Sequence, residues 1–160
     1  MRIGVVSDTH GHVDYTLEAV RVLRELDVST VLHCGDIGSA AIVPLFADWP
    51  THFVFGNVDY DERELTLTIR NAGQTCHGRF GELTLEGVSV ALLHSDDESR
   101  FFETIDSGRY GLVCYGHTHK AEQHREGSTL VLNPGALYRA TPHSFAIVEL
   151  PQLAVTHIDL

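Results

Sequence analysis

The chain has 160 residues, and its hydrophobic content of 43% and charged content of 21% are ordinary for a soluble globular protein. This length is sufficient for one domain, residues 1–160, with a sizeable core. The formal net charge of −11 argues against broad nucleic-acid binding and against binding to anionic membranes, since both normally need a basic patch. No apolar run approaches the ~20 residues of a membrane span, and residues 1–6 lack the regions of a signal peptide. We therefore expect a cytoplasmic protein.

The three cysteines, Cys34, Cys76 and Cys114, are an odd number and have no CxxC spacing. Cys34 and Cys114 lie within apolar runs, so we expect them to be buried as small hydrophobic side chains. Neither the count nor a cytoplasmic compartment favours structural disulfides.

The first third of the chain alternates predicted strands and helices. The pattern predicts a strand, an amphipathic helix, a strand, a short helix limited by Pro44 and a strand, over residues 2–7, 13–26, 30–34, 38–46 and 51–55. Residues 61–73 are weakly patterned, and we predict irregular structure there with at most one helical turn.

From residue 75 onward the pattern changes to short alternating strands. Glu86-Gly87, Glu126-Gly127 and Pro151-Gln152 each lie between two such runs, which predicts three hairpins. A short helix at 97–106 and a buried strand at 112–115 lie between the first two hairpins. The apolar residues of the strand–helix part and of the hairpin part would both be buried if two mixed sheets faced each other with helices outside. We therefore predict an α/β fold of that kind.

Several predicted strands end in residues that commonly bind metal ions. In open α/β sheets, ligands bind just beyond the carboxyl ends of strands. The residues concerned are Asp8, His10, Asp36, Asn57, His94, His117 and His119. Taken alone, each of them is explained as an ordinary turn residue or as a polar residue with its hydrogen bonds satisfied. The whole set at the ends of five strands instead favours a metal site.

Asp36 is the centre of this predicted site. It follows a buried strand and Gly35, where the backbone can pass close to an ion. We predict that Asp36 bridges two metal ions, because a carboxylate has two oxygens that can serve two cations. Imidazole and carboxylate ligands without thiolate favour manganese, iron, zinc or nickel. Two ions ~3.5–4 Å apart suit in-line displacement at phosphorus, which predicts an anionic phosphoester substrate.

Six pieces of sequence occur in a fixed order: Asp8-Thr9-His10-Gly11, Gly35-Asp36, Gly56-Asn57-Val58-Asp59, His94, Gly116-His117-Thr118-His119 and Asn133-Pro134-Gly135. Together they resemble the calcineurin-like metallophosphoesterase superfamily, and in particular its small prokaryotic branch of YfcE-like and MJ0936-like phosphodiesterases. The resemblance implies a four-layer α/β/β/α sandwich with a dinuclear metal site at one rim. It assigns the first metal to Asp8, His10, Asp36 and His119. It assigns the second metal to Asp36, Asn57, His94 and His117. The metal usually invoked for this branch is manganese (Mn²⁺), with nickel, iron and zinc as alternatives.

Three positions depart from the superfamily pattern. Val58 stands where many members have a histidine that is thought to help the leaving group, and valine cannot donate a proton. The small branch often lacks this histidine as well, so the departure affects leaving-group protonation rather than family membership. Ser95 stands within His94-Ser95-Asp96, where the family often reads His-Gly-His. Ala136 stands where the small branch often has serine.

We therefore expect a metal-dependent phosphodiesterase in which a hydroxide bridging the two ions attacks a small phosphodiester substrate. Asp59, His12 and His33 lie near the motifs and could orient the metal ligands without binding metal themselves, or be ordinary polar neighbours. Residues that recognise the substrate are expected in loops 59–70 and 138–143.

Other functions remain open at this point. A eukaryotic retromer subunit shares the implied architecture and acts as a protein-interaction scaffold with an impaired metal site. A phosphomonoesterase needs groups that bind a terminal phosphate dianion, and no basic cluster or P-loop is visible. Arg63 and Arg139 could contact a phosphate or be solvated surface charges. The oligomeric state is also open: homologues of this type often pair, so a homo-oligomer is one alternative and a monomer is the other.

Overall fold

Two β-sheets face each other, and helices cover the outer face of each. The computed structural model describes all of residues 1–160. Its helices are α1 (Val13–Glu25), a 3₁₀ helix (Ala40–Phe46), α2 (Glu62–Asn71) and α3 (Glu98–Asp106). Its strands are β1 (Arg2–Val6), β2 (Thr30–His33), β3 (Thr51–Phe53), β4 (Thr75–Cys76), β5 (Phe80–Leu85), β6 (Val88–Leu93), β7 (Leu112–Cys114), β8 (Ala121–Glu126), β9 (Thr129–Pro134), β10 (Ser144–Glu149) and β11 (Ala154–Asp159).

Both sheets are mixed, with parallel strands at their centres. The first has the order β11-β10-β1-β2-β3-β4, in which β1 to β4 are parallel and β10 and β11 are antiparallel. The second has the order β5-β6-β7-β9-β8, in which β6, β7 and β9 are parallel. The parallel strands carry the loops that contain the predicted metal ligands.

Three clusters of buried apolar side chains fill the spaces between the layers. Successive residues of a strand point to opposite faces, so Val5 of β1 packs between the sheets while Val6 packs under the helices. The first cluster joins the first sheet to α1, the 3₁₀ helix and α2, and the second lies between the two sheets. The third joins the second sheet to α3. The predicted arrangement of two mixed sheets with outer helices is confirmed.

Close packing at β1 depends on a glycine. A Cβ added at Gly4 would lie 2.7 Å from Cδ2 of Leu23, so a side chain there would require the buried Leu23 side chain to shift. Cys34 and Cys114 are fully buried between the sheets, and the structure contains no disulfide. Both statements agree with the prediction for the cysteines. No helix combines the length and the hydrophobicity that a membrane span requires.

The irregular segment predicted over residues 61–73 is wrong, because most of it is α2. The Asp61 side chain caps this helix by accepting a hydrogen bond from the Glu64 backbone N–H at 2.9 Å. Only Leu65 and Ile69 of α2 are buried, and they are four residues apart. Two buried positions give a weak apolar period, so the capping residue was the more informative signal.

His33 is a polar residue within the core. It ends β2, stacks on Phe53 with ring centroids 5.4 Å apart, and is completely buried. The Gly35 N–H donates to Nδ1 at 3.2 Å, so Nε2 carries the proton and donates to Oγ1 of Thr9 at 3.0 Å. Burial lowers the pKa of His33 from 6.5 to about 3, which keeps the ring neutral in the folded protein.

We predict that this neutral ring makes the folded protein sensitive to acid. Below pH 6.5 the unfolded chain binds a proton that folded His33 cannot bind, so stability falls by about 1.4 kcal/mol per pH unit toward pH 3. The His33→Gln variant does not titrate at this position. In urea unfolding of metal-free protein, lowering the pH from 7.5 to 5.5 should reduce the free energy of unfolding of wild type by about 1.4 kcal/mol more than that of the variant. Parallel pH profiles would contradict the assignment.

Candidate metal centre

The loops that follow β1, β2, β6 and β7 meet at one rim of the sandwich, and their backbone is unusual there. Six non-glycine residues in them have positive φ angles: Asp8 (55°), His10 (46°), Asp36 (52°), Ser95 (77°), His117 (75°) and His119 (59°). Such conformations cost of order 1 kcal/mol each and persist only where the surrounding structure enforces them. Their concentration in these loops indicates a functional site.

Five of the seven predicted ligands form two groups whose ligand atoms lie within 4.8 Å of one another. One group is Asp8, His10 and His119, and the other is Asp8, Asp36 and His94. Nε2 of His119 is 3.1 Å from Oδ1 of Asp8, and Nε2 of His94 is 3.2 Å from Oδ2 of Asp36. Nε2 of His10 lies 3.7 Å from Oδ1 of Asp8 and 3.4 Å from Oδ2 of Asp36. The two groups are therefore contiguous.

Two atoms at the centre of these groups have no hydrogen-bond partner. Oδ1 of Asp8 and Nε2 of His94 are both buried and unsatisfied, although they lie 3.9 Å apart. The nearest ionisable neighbours are Nε2 of His119, 3.1 Å from Oδ1 of Asp8, and Oδ2 of Asp36, 3.2 Å from Nε2 of His94. An unsatisfied buried polar group costs about 1–3 kcal/mol, more if it is charged. Two such atoms that face each other indicate a site in which a bound cation supplies the missing contacts.

The outer oxygen of each carboxylate is fixed by the protein. Oδ2 of Asp8 accepts hydrogen bonds from the Ser7 hydroxyl at 2.6 Å and from the His117 backbone N–H at 3.1 Å. Oδ1 of Asp36 accepts from the Val58 N–H at 3.0 Å. Only Oδ2 of Asp36 therefore faces both His10 and His94. A bridge by Asp36 would use this one oxygen, whereas the sequence argument had invoked both.

Two of the histidine rings, those of His94 and His119, are oriented through their Nδ1 atoms. Nδ1 of His94 lies 2.8 Å from the Cys34 carbonyl oxygen, and Nδ1 of His119 lies 3.3 Å from the Arg139 carbonyl oxygen. A carbonyl can only accept, so each Nδ1 carries a proton and each Nε2 presents its lone pair to the carboxylates. Backbone acceptors of this kind orient histidines that bind metals.

The pKa shifts in the cluster favour ionised carboxylates and protonated histidines. Burial by itself would raise the pKa of Asp8, but the surrounding imidazoles and the Ser7 hydroxyl hold it well below its ordinary value. Burial also opposes ionisation of Asp36, and the neighbouring His94 lowers the pKa of Asp36 overall. Burial would lower the pKa of His94, yet the two carboxylates raise it. The contact with Asp8 likewise raises the pKa of His119. The carboxylates thus stay ionised and attract positive charge.

Two glycines let the loops approach this closely. A Cβ at Gly56 would overlap Oδ1 of Asp36 and lie 2.7 Å from Cδ2 of His94. A Cβ at Gly116 would lie 2.8 Å from Oδ2 of Asp8. No side chain can be accommodated at either position without displacing a carboxylate or an imidazole.

The remaining two predicted ligands lie at the solvent edge. His117 is exposed, and its ring is edge-on to His94 with centroids 5.1 Å apart. Asn57 is exposed between Gly56 and Val58, and no hydrogen bond joins its side chain to the other six residues. The structure thus brings five of the seven side chains into the two contiguous groups, places the His117 ring beside His94 and leaves Asn57 at the rim.

Asp59 and His33 connect the loops around the cluster, whereas His12 does not. Oδ1 of Asp59 accepts from the Gly38 N–H at 2.7 Å, and its Oδ2 accepts from the Gly56 N–H at 2.8 Å. Asp59 therefore ties the loop after β2 to the loop after β3, while His33 ties the end of β2 to Thr9. His12 stacks on tyrosine rings outside the cluster.

Other supporting residues were recognised less well from the sequence. The Asn133 side-chain amide donates to the Gly116 carbonyl oxygen at 3.1 Å and to Oγ1 of Thr118 at 3.0 Å, which explains the Asn133-Pro134-Gly135 motif. The Ser95 hydroxyl donates to the same Gly116 carbonyl oxygen at 3.2 Å. Neither this role of Ser95 nor that of Ser7 has a local sequence signal. Arg63 is exposed on α2 and forms no ion pair.

Comparisons with known proteins identify the family and the fold. The model of the calcineurin-like phosphoesterase superfamily domain matches residues 1–152. Phosphodiesterase MJ0936 of Methanocaldococcus jannaschii is 29% identical over 138 residues, which cover 84% of this chain and 83% of that protein. A solved archaeal phosphodiesterase superposes with a TM-score of 0.92 at 26% identity and covers all of both chains.

A further likeness concerns the fold alone. Vps29 of Chaetomium thermophilum superposes with a TM-score of 0.74 at 14% identity, covering 99% of this chain and 96% of that chain. Sequence, fold and the six motifs agree on one assignment. The chain belongs to the calcineurin-like phosphoesterase superfamily, in the small prokaryotic branch that includes MJ0936.

Proposed function

We propose that this protein is a metal-dependent phosphodiesterase with a dinuclear metal centre. Asp8, His10, Asp36 and His119 would hold one divalent ion, and Asp36, Asn57, His94 and His117 would hold the other. The observation that carries the proposal is the pair of buried, unsatisfied atoms, Oδ1 of Asp8 and Nε2 of His94, that face each other between two carboxylates.

The residues present fit divalent cations. Asp8 and Asp36 supply two negative charges, the histidines supply neutral nitrogen lone pairs, and no lysine or arginine pairs with either carboxylate. Because burial raises the pKa of the Cys34 thiol, no thiolate competes at the site. This donor set suits Mn²⁺, which we propose as the resident metal, with Ni²⁺, Fe²⁺ and Zn²⁺ as the alternatives.

Bound divalent ions would supply an activated water and positive charge for the oxygens of the phosphate. The chain supplies the geometry. Ser7 and the His117 N–H hold Asp8, and the Val58 N–H holds Asp36, so both carboxylates are fixed before substrate arrives. A preorganised site of this kind avoids the cost of reorganisation during the reaction.

The leaving group would depart without help from residue 58. Val58 donates its backbone N–H to Asp36 and has an aliphatic side chain, and neither group can protonate an alkoxide. A small phosphodiester whose leaving group is stable as an anion, such as a phenoxide, is therefore the proposed preferred substrate.

A protein-interaction scaffold is the second candidate. The likeness to Vps29 over nearly the whole chain favours it, although that likeness concerns the fold. A scaffold has no physical need for two buried carboxylates with an unsatisfied oxygen and imidazole nitrogen between them, since that arrangement destabilises a protein without a cation. The phosphodiesterase proposal accounts for this cost and the scaffold does not.

We predict that metal removal abolishes hydrolysis of bis(p-nitrophenyl) phosphate and that Mn²⁺ restores it. Metal analysis by mass spectrometry should find two ions per chain in the reconstituted protein. The Asp36→Asn variant should bind less metal and lose about 100-fold or more in kcat/KM, because it removes the carboxylate that is assigned to both ions.

A matched control is Asp48→Asn. Asp48 is half-exposed and pairs with Arg24 at 2.5 Å on the surface, so its loss should leave metal content and turnover unchanged. Two bound ions without turnover of any phosphoester would favour the scaffold. Retention of full metal content and activity by Asp36→Asn would contradict the proposed site.

We predict that aryl phosphodiesters are hydrolysed much faster than alkyl phosphodiesters with Mn²⁺ present. The Val58→His variant should narrow this difference by accelerating alkyl substrates, since general-acid catalysis contributes about 10²–10⁴-fold. Val58→Leu is the control, because it keeps the backbone contact with Asp36 and adds no acid. Equal rates of wild type on aryl and alkyl diesters would contradict the role given to residue 58.

A further inference from the structure

The strand β8 lies at one edge of the second sheet and is exposed throughout. It pairs with β9 on one side and has no strand on the other. All six of its side chains are exposed, and no other strand of the chain is exposed along its whole length. None of these side chains belongs to the three apolar clusters. The position of β8 therefore depends on its hydrogen bonds to β9.

The pairing of β9 shows which backbone groups of β8 are free. The Leu130 N–H donates to the carbonyl oxygen of the residue before β7, and the Leu132 carbonyl oxygen accepts from the N–H of the residue after β7. Successive residues of a strand direct their N–H and C=O groups to opposite sides, so the alternate residues of β9 face β8. Their partners in the register, which bond to β9, are Glu122, His124 and Glu126. The N–H and C=O groups that point out of the sheet are those of Ala121, Gln123 and Arg125.

The charges around this free edge balance. Edge strands are often prevented from pairing by charged side chains. Over residues 120–126, however, Lys120 and Arg125 balance Glu122 and Glu126, in a chain with a formal net charge of −11. Lys120 is the only lysine of the chain. This neutral segment avoids the repulsion that the net charge would otherwise impose on two approaching copies.

One antiparallel register between two copies of β8 matches opposite charges. Directly opposite residues of antiparallel strands point to the same face of the sheet. With Gln123 at a twofold axis, Lys120 lies opposite the partner's Glu126. In the same register, Glu122 lies opposite the partner's His124, whose imidazole can donate to the carboxylate. All four side chains are on one face of the strand, because they are spaced by two residues.

The neighbouring registers do not match in this way. With Glu122 at the twofold axis, this carboxylate would face its own copy. With His124 at the axis, Glu122 would lie opposite the partner's Glu126. Like charges directly opposite each other destabilise a strand pair. The charge pattern of β8 therefore selects the register that has Gln123 at the axis.

The selected register also joins the free backbone groups. Gln123 exchanges hydrogen bonds with the partner's Gln123, and Ala121 exchanges them with the partner's Arg125. These are the residues whose N–H and C=O groups point out of the sheet. The second sheets of the two copies would then form one continuous sheet. Side-chain charge and backbone geometry thus agree on the same register by independent arguments.

We propose that β8 is a self-association surface to which a second copy of this chain adds its own β8, antiparallel and centred on Gln123. Addition of a strand to an exposed sheet edge is a common mode of recognition, and a twofold axis closes such a pair as a dimer. One strand pair is a small interface, so the dimer is weak and forms in proportion to protein concentration. The proposal does not depend on the proposed phosphodiesterase function.

Sedimentation velocity over a series of concentrations, from micromolar to millimolar, tests this surface. Wild type should show a reversible dimer of twice the 17.7 kDa mass of one chain. Gln123→Pro removes the N–H at the centre of the pairing and should be monomeric at the same concentrations. Proline is tolerated in an edge strand where the N–H points away from the sheet, so this variant should keep the wild-type far-UV circular dichroism spectrum.

A charge exchange tests the register itself. Lys120→Glu places a carboxylate opposite the partner's Glu126 at both ends of the pair, and it should raise the dissociation constant of the dimer about tenfold or more. Glu126→Lys should weaken the dimer in the same way. The double variant Lys120→Glu/Glu126→Lys restores opposite charges and should restore the dimer, which an effect on folding alone would not do.

Glu86→Lys is the matched control for Glu126→Lys. Glu86 is exposed in the turn between β5 and β6, and its substitution changes the net charge by the same amount without touching β8. This variant should dimerise like wild type. A wild type that stays monomeric up to millimolar concentration, or a dimer that persists in Gln123→Pro, would overturn the proposal. Failure of the double variant to recover the dimer would overturn the register on which the proposal is built.

Discussion

Two carboxylates, Asp8 and Asp36, are buried side by side with no lysine or arginine paired to them, and the rest of the site is arranged around this constraint. An uncompensated buried charge costs several kcal/mol, and a second one nearby costs more. The protein offers each carboxylate hydrogen bonds on its outer oxygen and histidines on its inner one. The two carboxylates still lack a balancing positive charge, which divalent ions would supply.

The packing of the two sheets holds the buried carboxylates and their histidine neighbours in place. Loops after β1, β2 and β3 come from one sheet and loops after β6, β7 and β9 come from the other, so neither sheet holds the cluster alone. Packing between the sheets fixes the distance between Asp36 and His94. The positive φ angles and the close approach at Gly56 and Gly116 are local strain that this packing stabilises.

Much of this could be predicted from sequence because the relevant signals are local. Polar residues after apolar strands indicated the ligand loops, and alternating patterns indicated two mixed sheets. The sequence did not reveal α2, whose buried face is only Leu65 and Ile69. It also did not reveal that Asp36 presents a single oxygen, since the Val58 contact depends on two loops meeting. The stacking of His12 on Tyr15 and Tyr138 has no local sequence signal for the same reason, although residues that recognise the substrate were expected in loop 138–143. The sequence left the oligomeric state open, and the predicted cytoplasmic location stays a prediction.

The most direct measurement is anomalous diffraction from crystals of the protein grown with Mn²⁺. The account predicts two anomalous peaks about 3.5–4 Å apart, one that Asp8, His10 and His119 would hold and one that Asp36 and His94 would hold. A structure in which Mn²⁺ is absent from the space between Oδ1 of Asp8 and Nε2 of His94 would contradict it. In that case the two buried carboxylates would need a different explanation.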